Sequence, residues 1–95
     1  MKTVWKYTVP MLDVFSLDLP QGAKILTIQE QHGNPQIWVL VNYPVDLLET
    51  RKFRLVGTGQ TIEVDNGLEY IGTFQSIGGD FIGHLFEMRD KGVKE

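Results

Sequence analysis

The chain has 95 residues, a net charge of −3 and no cysteine. This length fits a single domain, and the lack of cysteine excludes disulfides, thiolate zinc sites and a cysteine nucleophile. The surplus of acidic residues disfavours nucleic-acid binding, which usually needs a basic surface. The longest apolar run, residues 37–41, is far shorter than the ~20 residues of a membrane-spanning helix.

The first residues of the chain do not resemble an export signal. Residues 1–9 contain Lys2 and Lys6 among strand-forming residues. They lack the apolar core, followed by a small-residue cleavage site, that defines a secretory signal. We therefore expect a cytoplasmic protein with no membrane partner. The only basic cluster, formed by Arg51, Lys52 and Arg54, is more typical of a solvated strand face than of a phosphate-binding patch.

Apolar and polar residues alternate with a period of two along most of the chain, and this pattern predicts β-strands. The predicted strands cover residues 2–9, 15–19, 24–31, 36–43, 50–56, 68–75 and 80–88, with a short additional strand at 61–64. Residues 44–49 are expected to form a brief helical turn, which is too short to be a stable helix. Asp65-Asn66-Gly67 predicts a tight turn.

One hairpin is indicated by the turn-forming residues 32–35, His-Gly-Asn-Pro, between two strand-like runs. In the second strand of this hairpin, Ile37, Val39 and Val41 face one side of the sheet. Trp38 and Leu40 face the other side. Apolar residues on both faces predict either a central strand covered on both sides or a subunit contact.

Seven or eight short strands separated by frequent turns predict an all-β fold, either a small antiparallel sandwich or a partly open barrel. At most one short helical turn is expected. No linker or repeat divides the chain, so residues 1–90 are predicted to form one domain, and residues 91–95 are expected to fray as a charged tail.

The sequence offers few groups for catalysis. His32 lies in a predicted turn and His84 in the last predicted strand, and neither has further ligands at metal-binding spacing. Residues 63, 65 and 69 are carboxylates near a turn, where they most simply keep the turn solvated, and they lack the ligand spacing of a calcium loop. We therefore expect no catalytic residues, no metal and no cofactor.

A ligand-binding site is predicted around the segment Gly57-Thr58-Gly59-Gln60, because backbone N–H groups of a glycine-rich turn can bind an anion. The segment lacks the lysine and the helix of a phosphate loop, and the glycines are also consistent with a simple bend. The residues predicted to bind a small anionic ligand are Arg54, Thr58, Gly59, Gln60 and His84.

Aromatic residues are more numerous than one thin core needs. Large amphipathic rings are favoured at protein interfaces. The residues predicted to form an interface, with a protein partner or between copies of this chain, are Trp5, Trp38 and Tyr43.

Several strings of the chain resemble a family of short uncharacterised proteins that occur in phages, prophages and bacterial genomes. The strings are Val-Trp-Lys-Tyr at 4–7, Leu-Pro-Gln-Gly-Ala-Lys-Ile-Leu at 19–26, Arg-Leu-Val-Gly-Thr-Gly at 54–59, Leu-Glu-Tyr-Ile-Gly-Thr-Phe-Gln at 68–75 and His-Leu-Phe-Glu at 84–87. The resemblance spans residues 3–87. In that family a histidine often follows the Gly-Thr-Gly segment, where this chain has Gln60, which weakens the case for an imidazole at this loop. The resemblance implies a mobile-element setting, with the host cytoplasm as location, but no activity.

Three functions remain open. The first is a non-catalytic accessory protein that binds a host protein and blocks it with an edge strand or an aromatic patch. If the blocked protein belongs to a host defence system, the chain would be a counter-defence inhibitor. The second is a homo-oligomer that sequesters a small molecule or nucleotide in a pocket between subunits. The third, which we favour least, is a small hydrolase.

Overall fold

Seven strands, each antiparallel to its neighbours, form two separate sheets. The computed structural model describes residues 1–62 and 67–89. The strands are β1 (Lys2–Thr8), β2 (Val14–Pro20), β3 (Lys24–Gln31), β4 (Asn34–Asn42), β5 (Leu48–Gly57), β6 (Leu68–Gln75) and β7 (Ile82–Met88). The predicted all-β fold is confirmed. Since the sheets do not close into a barrel, the sandwich is the architecture observed.

The first sheet has three strands in the order β1-β4-β3. The predicted hairpin joins β3 to β4, and its loop is only His32-Gly33, because Gln31 is in register with Asn34. His32 and Gly33 have φ angles of 53° and 90°. Positive φ at both positions is the geometry of the tight hairpin turns that match the twist of paired strands. The strand β4 pairs with both β1 and β3 and is therefore central, as predicted, but its outer face with Trp38 and Leu40 is only half-buried, so the predicted cover on both sides is not seen among the described residues.

The second sheet has four strands in the order β2-β5-β7-β6. The strands β6 and β7 form a hairpin closed by a 3-10 turn at Ile77–Gly79. Two hydrogen bonds hold this turn, since the Phe81 amide donates to Ser76 Oγ at 3.0 Å and the Ser76 amide donates to the Phe81 carbonyl at 2.8 Å.

The hydrophobic core lies between the two sheets and collects every second residue of the strands. Its largest fully buried side chains are Phe53, Leu19, Ile37, Leu85, Val9, Val39 and Val41. Phe15 and Phe53 stack with ring centroids 5.2 Å apart. At one side Gly72 of β6 faces Ile28 of β3, and a Cβ on Gly72 would lie 2.9 Å from Ile28 Cγ2. The absence of a side chain at Gly72 thus permits the close approach of the two sheets.

One local prediction was wrong. Residues 44–49 do not form a helical turn; the segment crosses from the first sheet to the second, and β5 already begins at Leu48. The single helical turn of the described residues is the one at Ile77–Gly79. The predicted short strand at 61–64, the turn at 65–67 and the frayed tail at 91–95 lie partly or wholly outside the described residues.

Candidate functional site

A chain of hydrogen bonds links four side chains on the outer face of the four-stranded sheet. Thr58 Oγ1 lies 2.7 Å from His84 Nε2, and His84 Nδ1 lies 2.9 Å from Thr73 Oγ1. Thr73 Oγ1 in turn lies 2.6 Å from Tyr70 Oη. We call these four residues the histidine network. An imidazole between two hydroxyls can donate through one nitrogen and accept through the other.

The strand register explains why these residues meet. Directly opposite residues of paired strands share a face, and His84 of β7 is in register with Thr73 of β6. Thr58 follows the last residue of β5 and so reaches His84 from the other side. The residues Thr58 and His84, which the sequence predicted as ligand-binding, are therefore in contact, although 26 positions separate them. The network holds hydroxyls and an imidazole but no carboxylate.

The segment Gly57–Gln60 forms a turn whose amides are largely used within the fold. Gln60 Oε1 accepts a hydrogen bond from the Gly57 amide at 2.7 Å, and the Gln60 amide donates to the Gly57 carbonyl at 3.0 Å. The Thr58 amide donates to the Ile82 carbonyl at 3.3 Å. Gly59 adopts the left-handed backbone conformation that the turn requires, with a φ angle of 92°. Three of the four amides of this segment, those of Gly57, Thr58 and Gln60, are thus bonded within the fold.

Arg54 lies on the same outer face as the histidine network. It is in register with Val14 of β2 and Phe86 of β7. Its Nε is buried and, among the described residues, has no hydrogen-bond partner. The ring of Phe86 also packs against Tyr70, with centroids 5.6 Å apart. Four of the five predicted ligand-binding residues occupy or adjoin this face, whereas Gln60 folds back onto its own turn.

A cleft of about 500 Å³ opens between the start of β3 and the inner face of the four-stranded sheet. At its base Arg51 and Glu87 form a two-pronged ion pair, with Nε–Oε2 at 2.7 Å and Nη2–Oε1 at 2.9 Å. Arg51 Nη1 also donates to the Ala23 carbonyl at 2.5 Å. The hydrogen bond to Glu87 raises the pKa of Arg51 further above its usual range.

The charges of this cleft are compensated. Glu69 pairs with Arg89 at 3.0 Å, and Glu49 accepts a hydrogen bond from the Gly22 amide at 3.0 Å. Arg51 and Glu87 belong to the same sheet, and the hydrogen bond from Arg51 to the Ala23 carbonyl connects this pair to the residue that precedes β3 of the other sheet. Sequence reasoning missed this pair, but a signal was present: Arg51 stands two residues before the core residue Phe53, on the face that should be apolar.

The outer face of the three-stranded sheet combines apolar and basic side chains. The register places Leu40 of β4 between Val4 of β1 and Lys24 of β3, and it places Lys6 beside Trp38. Val4 is exposed, Trp38 and Leu40 are half-buried, and the lysines are exposed. We call this surface the lysine–tryptophan face; its members are Val4, Trp38, Leu40, Lys2, Lys6 and Lys24.

No carboxylate neutralises the lysine–tryptophan face within its sheet. Lys2 Nζ donates to Asn42 Oδ1 at 3.1 Å, and Lys6 Nζ donates to Gln31 Oε1 at 2.7 Å, so both partners are amides. The single carboxylate of the three strands is Glu30. It is in register with Pro35 on the opposite face and accepts a hydrogen bond from the Gly33 amide.

The three predicted interface residues do not form one surface. Trp5 and Tyr43 contact each other edge to face, with centroids 6.5 Å apart and planes at 70°. Trp5 is in register with Val39 on the core side of the sheet, whereas Trp38 is in register with Lys6 on the outer side. The structure thus separates a Trp5–Tyr43 pair at the edge of the sheet from Trp38 at the centre of its outer face.

The described residues contain no group of three or more His, Cys, Asp or Glu side chains placed to hold a metal ion. None of their helical segments has the length and hydropathy needed to cross a membrane.

Comparison with known families matches residues 1–95 to DUF7352, a domain of unknown function. The chain therefore belongs to this family, and its predicted membership of an uncharacterised family is confirmed. A search of the curated proteins and a search of the solved structures each found no match.

Proposed function

We propose that this member of a family of unknown function is a non-catalytic binding domain whose lysine–tryptophan face binds an acidic surface of a partner protein. The observation that carries the proposal is the local charge of that face: its own three strands place three lysines and no carboxylate there, in a chain whose net charge is −3. Of these lysines, Lys2 and Lys6 lie away from the cleft, whereas Lys24 also lines the cleft that holds Glu87. An acidic partner surface complements this charge.

The composition of the face supports a protein as the partner. Trp38 is half-buried at the centre, beside Leu40 and the exposed Val4. Protein interfaces commonly surround a central aromatic residue with apolar neighbours and a polar rim, and tryptophan often contributes much of the binding energy. The lysines at the rim would accelerate association with an acidic partner and set its orientation.

We also propose that the partner is a host protein, such as a component of a host defence system, and that binding of this chain inhibits that partner. The resemblance of the chain to short proteins of phages and prophages supports this setting. An interaction module of this kind needs an exposed apolar patch or an open strand edge. The described residues offer both, in the lysine–tryptophan face and in β1 at the edge of its sheet.

Affinity capture from bacterial lysate tests the proposal with a matched pair of charge reversals. Lys6→Glu changes the lysine–tryptophan face, whereas Lys52→Glu makes the same change on the outer face of the other sheet. We expect the wild-type protein and Lys52→Glu to retain the same acidic protein and Lys6→Glu to lose it. Equal retention by both variants, or a captured protein without acidic character, would contradict the proposal.

A second candidate function is the binding of a small anionic ligand, such as a nucleotide, beside the histidine network. It is favoured by the buried Nε of Arg54, which has no acceptor among the described residues. A phosphate could accept hydrogen bonds from Arg54 and Thr58, and a planar ring could stack on Tyr70.

Mass spectrometry of small molecules carried through native purification, together with thermal shifts in inorganic phosphate and nucleotides, tests this candidate. We expect Arg54→Gln to abolish a shift that Lys52→Gln retains. A shift that persists in Arg54→Gln, or none in the wild-type protein, would contradict it. The lysate capture above does not depend on this result.

A further inference from the structure

The strand β1 has an unpaired edge in the described structure, and the register defines which of its amides lie there. The Tyr43 amide donates to Met1 O at 2.8 Å, and the Val9 amide donates to Pro35 O at 2.9 Å. Hydrogen-bonded pairs alternate along antiparallel strands, so the odd-numbered residues of β1 bond to β4. The residues whose N–H and C=O groups point to the free edge are therefore Lys2, Val4, Lys6 and Thr8.

This edge has few of the features that usually prevent strand pairing. The edge strands β3 and β6 each contain a register shift, between Ile25 and Thr27 and between Tyr70 and Gly72, whereas β1 keeps an unbroken register with β4. Bulges, prolines and lysines commonly protect edges, and β1 has no proline. Its two lysines bond to Asn42 and Gln31 of their own sheet, so their ammonium groups lean away from the edge.

On the core side of the sheet, apolar side chains remain partly exposed to solvent at this edge. Trp5 stands opposite the fully buried Val39 yet is 37% exposed, and its neighbour Tyr43 is 49% exposed. At the other regular edge, β2, the core-facing Phe15 and Leu19 are buried. On the core side of the sheet, a strand added beside β1 would therefore cover exposed apolar side chains, whereas at β2 Phe15 and Leu19 are already buried.

We propose that β1 pairs antiparallel with β1 of a second copy of this chain, with Trp5 opposite Trp5 of the second copy. The pairing would join two three-stranded sheets into one of six strands. A two-fold axis at Trp5 makes the contact self-complementary, as in most homodimers. It also places the two tryptophans at a non-hydrogen-bonded pair, where opposite side chains lie closest.

Charge and the extent of pairing together select this register among those that satisfy the free amides. Registers centred on Thr3 or Tyr7 also keep the lysines apart, but each leaves at least one lysine or threonine of the free edge without a partner in β1. A register centred on Val4 would put Lys2 opposite Lys6 of the second copy, and one centred on Lys6 would put the two Lys6 residues opposite each other. Like charges directly opposite are destabilising. Centring on Trp5 instead places Lys2 opposite Thr8 and Val4 opposite Lys6, so no two lysines face each other.

Two proline substitutions test which edge associates. Val4→Pro removes an N–H from the free edge of β1 and leaves the bonds to β4 intact. Val14→Pro makes the same change at the free edge of β2. The Leu55 amide donates to Asp13 O, so the odd-numbered residues of β2 bond to β5 and the N–H of Val14 points to the free edge. Val4 and Val14 are equally exposed, at 48% and 50%.

Sedimentation equilibrium over a concentration series measures the result. We expect the wild-type protein and Val14→Pro to reach twice the chain mass of 10.8 kDa, and Val4→Pro to remain at the chain mass. Amide spectra that retain the strand signals would show that each variant is folded. A monomeric wild-type protein, a dimeric Val4→Pro or a monomeric Val14→Pro would overturn the proposal.

Single cysteines test the register independently, since the chain has none of its own. Trp5→Cys should form a disulfide between copies under mild oxidation, because opposite Cβ atoms lie within reach of each other. Thr3→Cys should not, since Thr3 would face Tyr7 of the second copy. Cross-linking of Thr3→Cys in preference to Trp5→Cys would overturn the register.

Discussion

Removing the charge of Glu87 should destabilise the protein more than the same change at any other carboxylate of the described residues. The side chains of Arg51 and Glu87 are only 14% and 8% exposed, and both oxygens of the carboxylate accept bonds from the guanidinium. Glu87→Gln would leave a buried cation without its counter-ion. Loss of one partner of a buried pair typically costs roughly 3–5 kcal/mol, a large part of the ~5–15 kcal/mol that stabilises a domain.

A matched control lies directly beside this pair. Glu69 is in register with Glu87, and its partner Arg89 directly follows the last residue of β7, but both side chains of this second pair are more than half exposed. Exposed pairs contribute about 0–1 kcal/mol. Glu69→Gln should therefore change stability by less than about 1 kcal/mol, although it alters the charge in the same way.

A double-mutant cycle separates the ion pair from its surroundings. Arg51→Met combined with Glu87→Leu removes both charges, so the double variant should lose much less stability than the two single variants together. It should still lose roughly 1–3 kcal/mol, because the Ala23 carbonyl no longer receives the hydrogen bond from Arg51. Urea unfolding followed by tryptophan fluorescence gives all four free energies. Additive losses, or a Glu87→Gln variant as stable as Glu69→Gln, would refute the reasoning.

Three further changes test the packing. Trp38→Ala should cost clearly less than the roughly 3–5 kcal/mol of a core aromatic such as Phe53, because Trp38 lies half-buried on an outer face; equal losses in urea unfolding would contradict this. Burial raises the pKa of Tyr7 above its usual value, so the wild-type protein should lose stability as the pH rises above about 10. Tyr7→Phe should lack that part of the loss, and parallel pH profiles of the two proteins would contradict it. Gly83→Ala should cost roughly 1–3 kcal/mol, because a Cβ there would lie 2.7 Å from Phe74 Cε1, and Phe74→Leu should restore part of the loss.

The sign of the Tyr7 effect follows from its cause. Desolvation favours the neutral phenol in the folded protein, so the folded pKa exceeds that of the unfolded chain. The stability associated with the group is complete below the unfolded pKa and is lost as the pH rises through the folded value. Tyr43→Phe serves as the control for removal of a phenol, because that side chain is half exposed and lies at the sheet edge.

Strand positions could be predicted from the sequence because they depend on local alternation. The strands at 24–31 and 68–75 have the predicted bounds, and the hairpin at His32-Gly33 was indicated by its turn residues. The segment 44–49 misled the prediction because its composition permits a turn of helix. Its actual course is fixed by the need to carry the chain from one sheet to the other.

The partners of each strand could not be predicted, because they depend on contacts between distant residues. The order β2-β5-β7-β6 brings Thr58 to His84 and Arg51 to Glu87, over separations of 26 and 36 residues. Alternation showed that Trp38 and Leu40 share a face. The structure leaves that face half-buried, which excludes full cover by the described residues, and the alternative of a subunit contact stays a prediction. Alternation could not show that Lys6 and Lys24 stand beside Trp38 and Leu40, because that depends on which strands flank β4.

Net charge was a poor guide to the surface for the same reason. The sum of −3 averages over the whole chain, whereas a partner responds to charges within about 10 Å at 0.1 M salt. Arg51 and Arg89 are paired with carboxylates at the cleft, while Lys2 and Lys6 bond only to amides on the outer face of the other sheet. An acidic chain thus carries a basic face. The partner of that face should be selected by its local charge, and the interaction should weaken as salt is added.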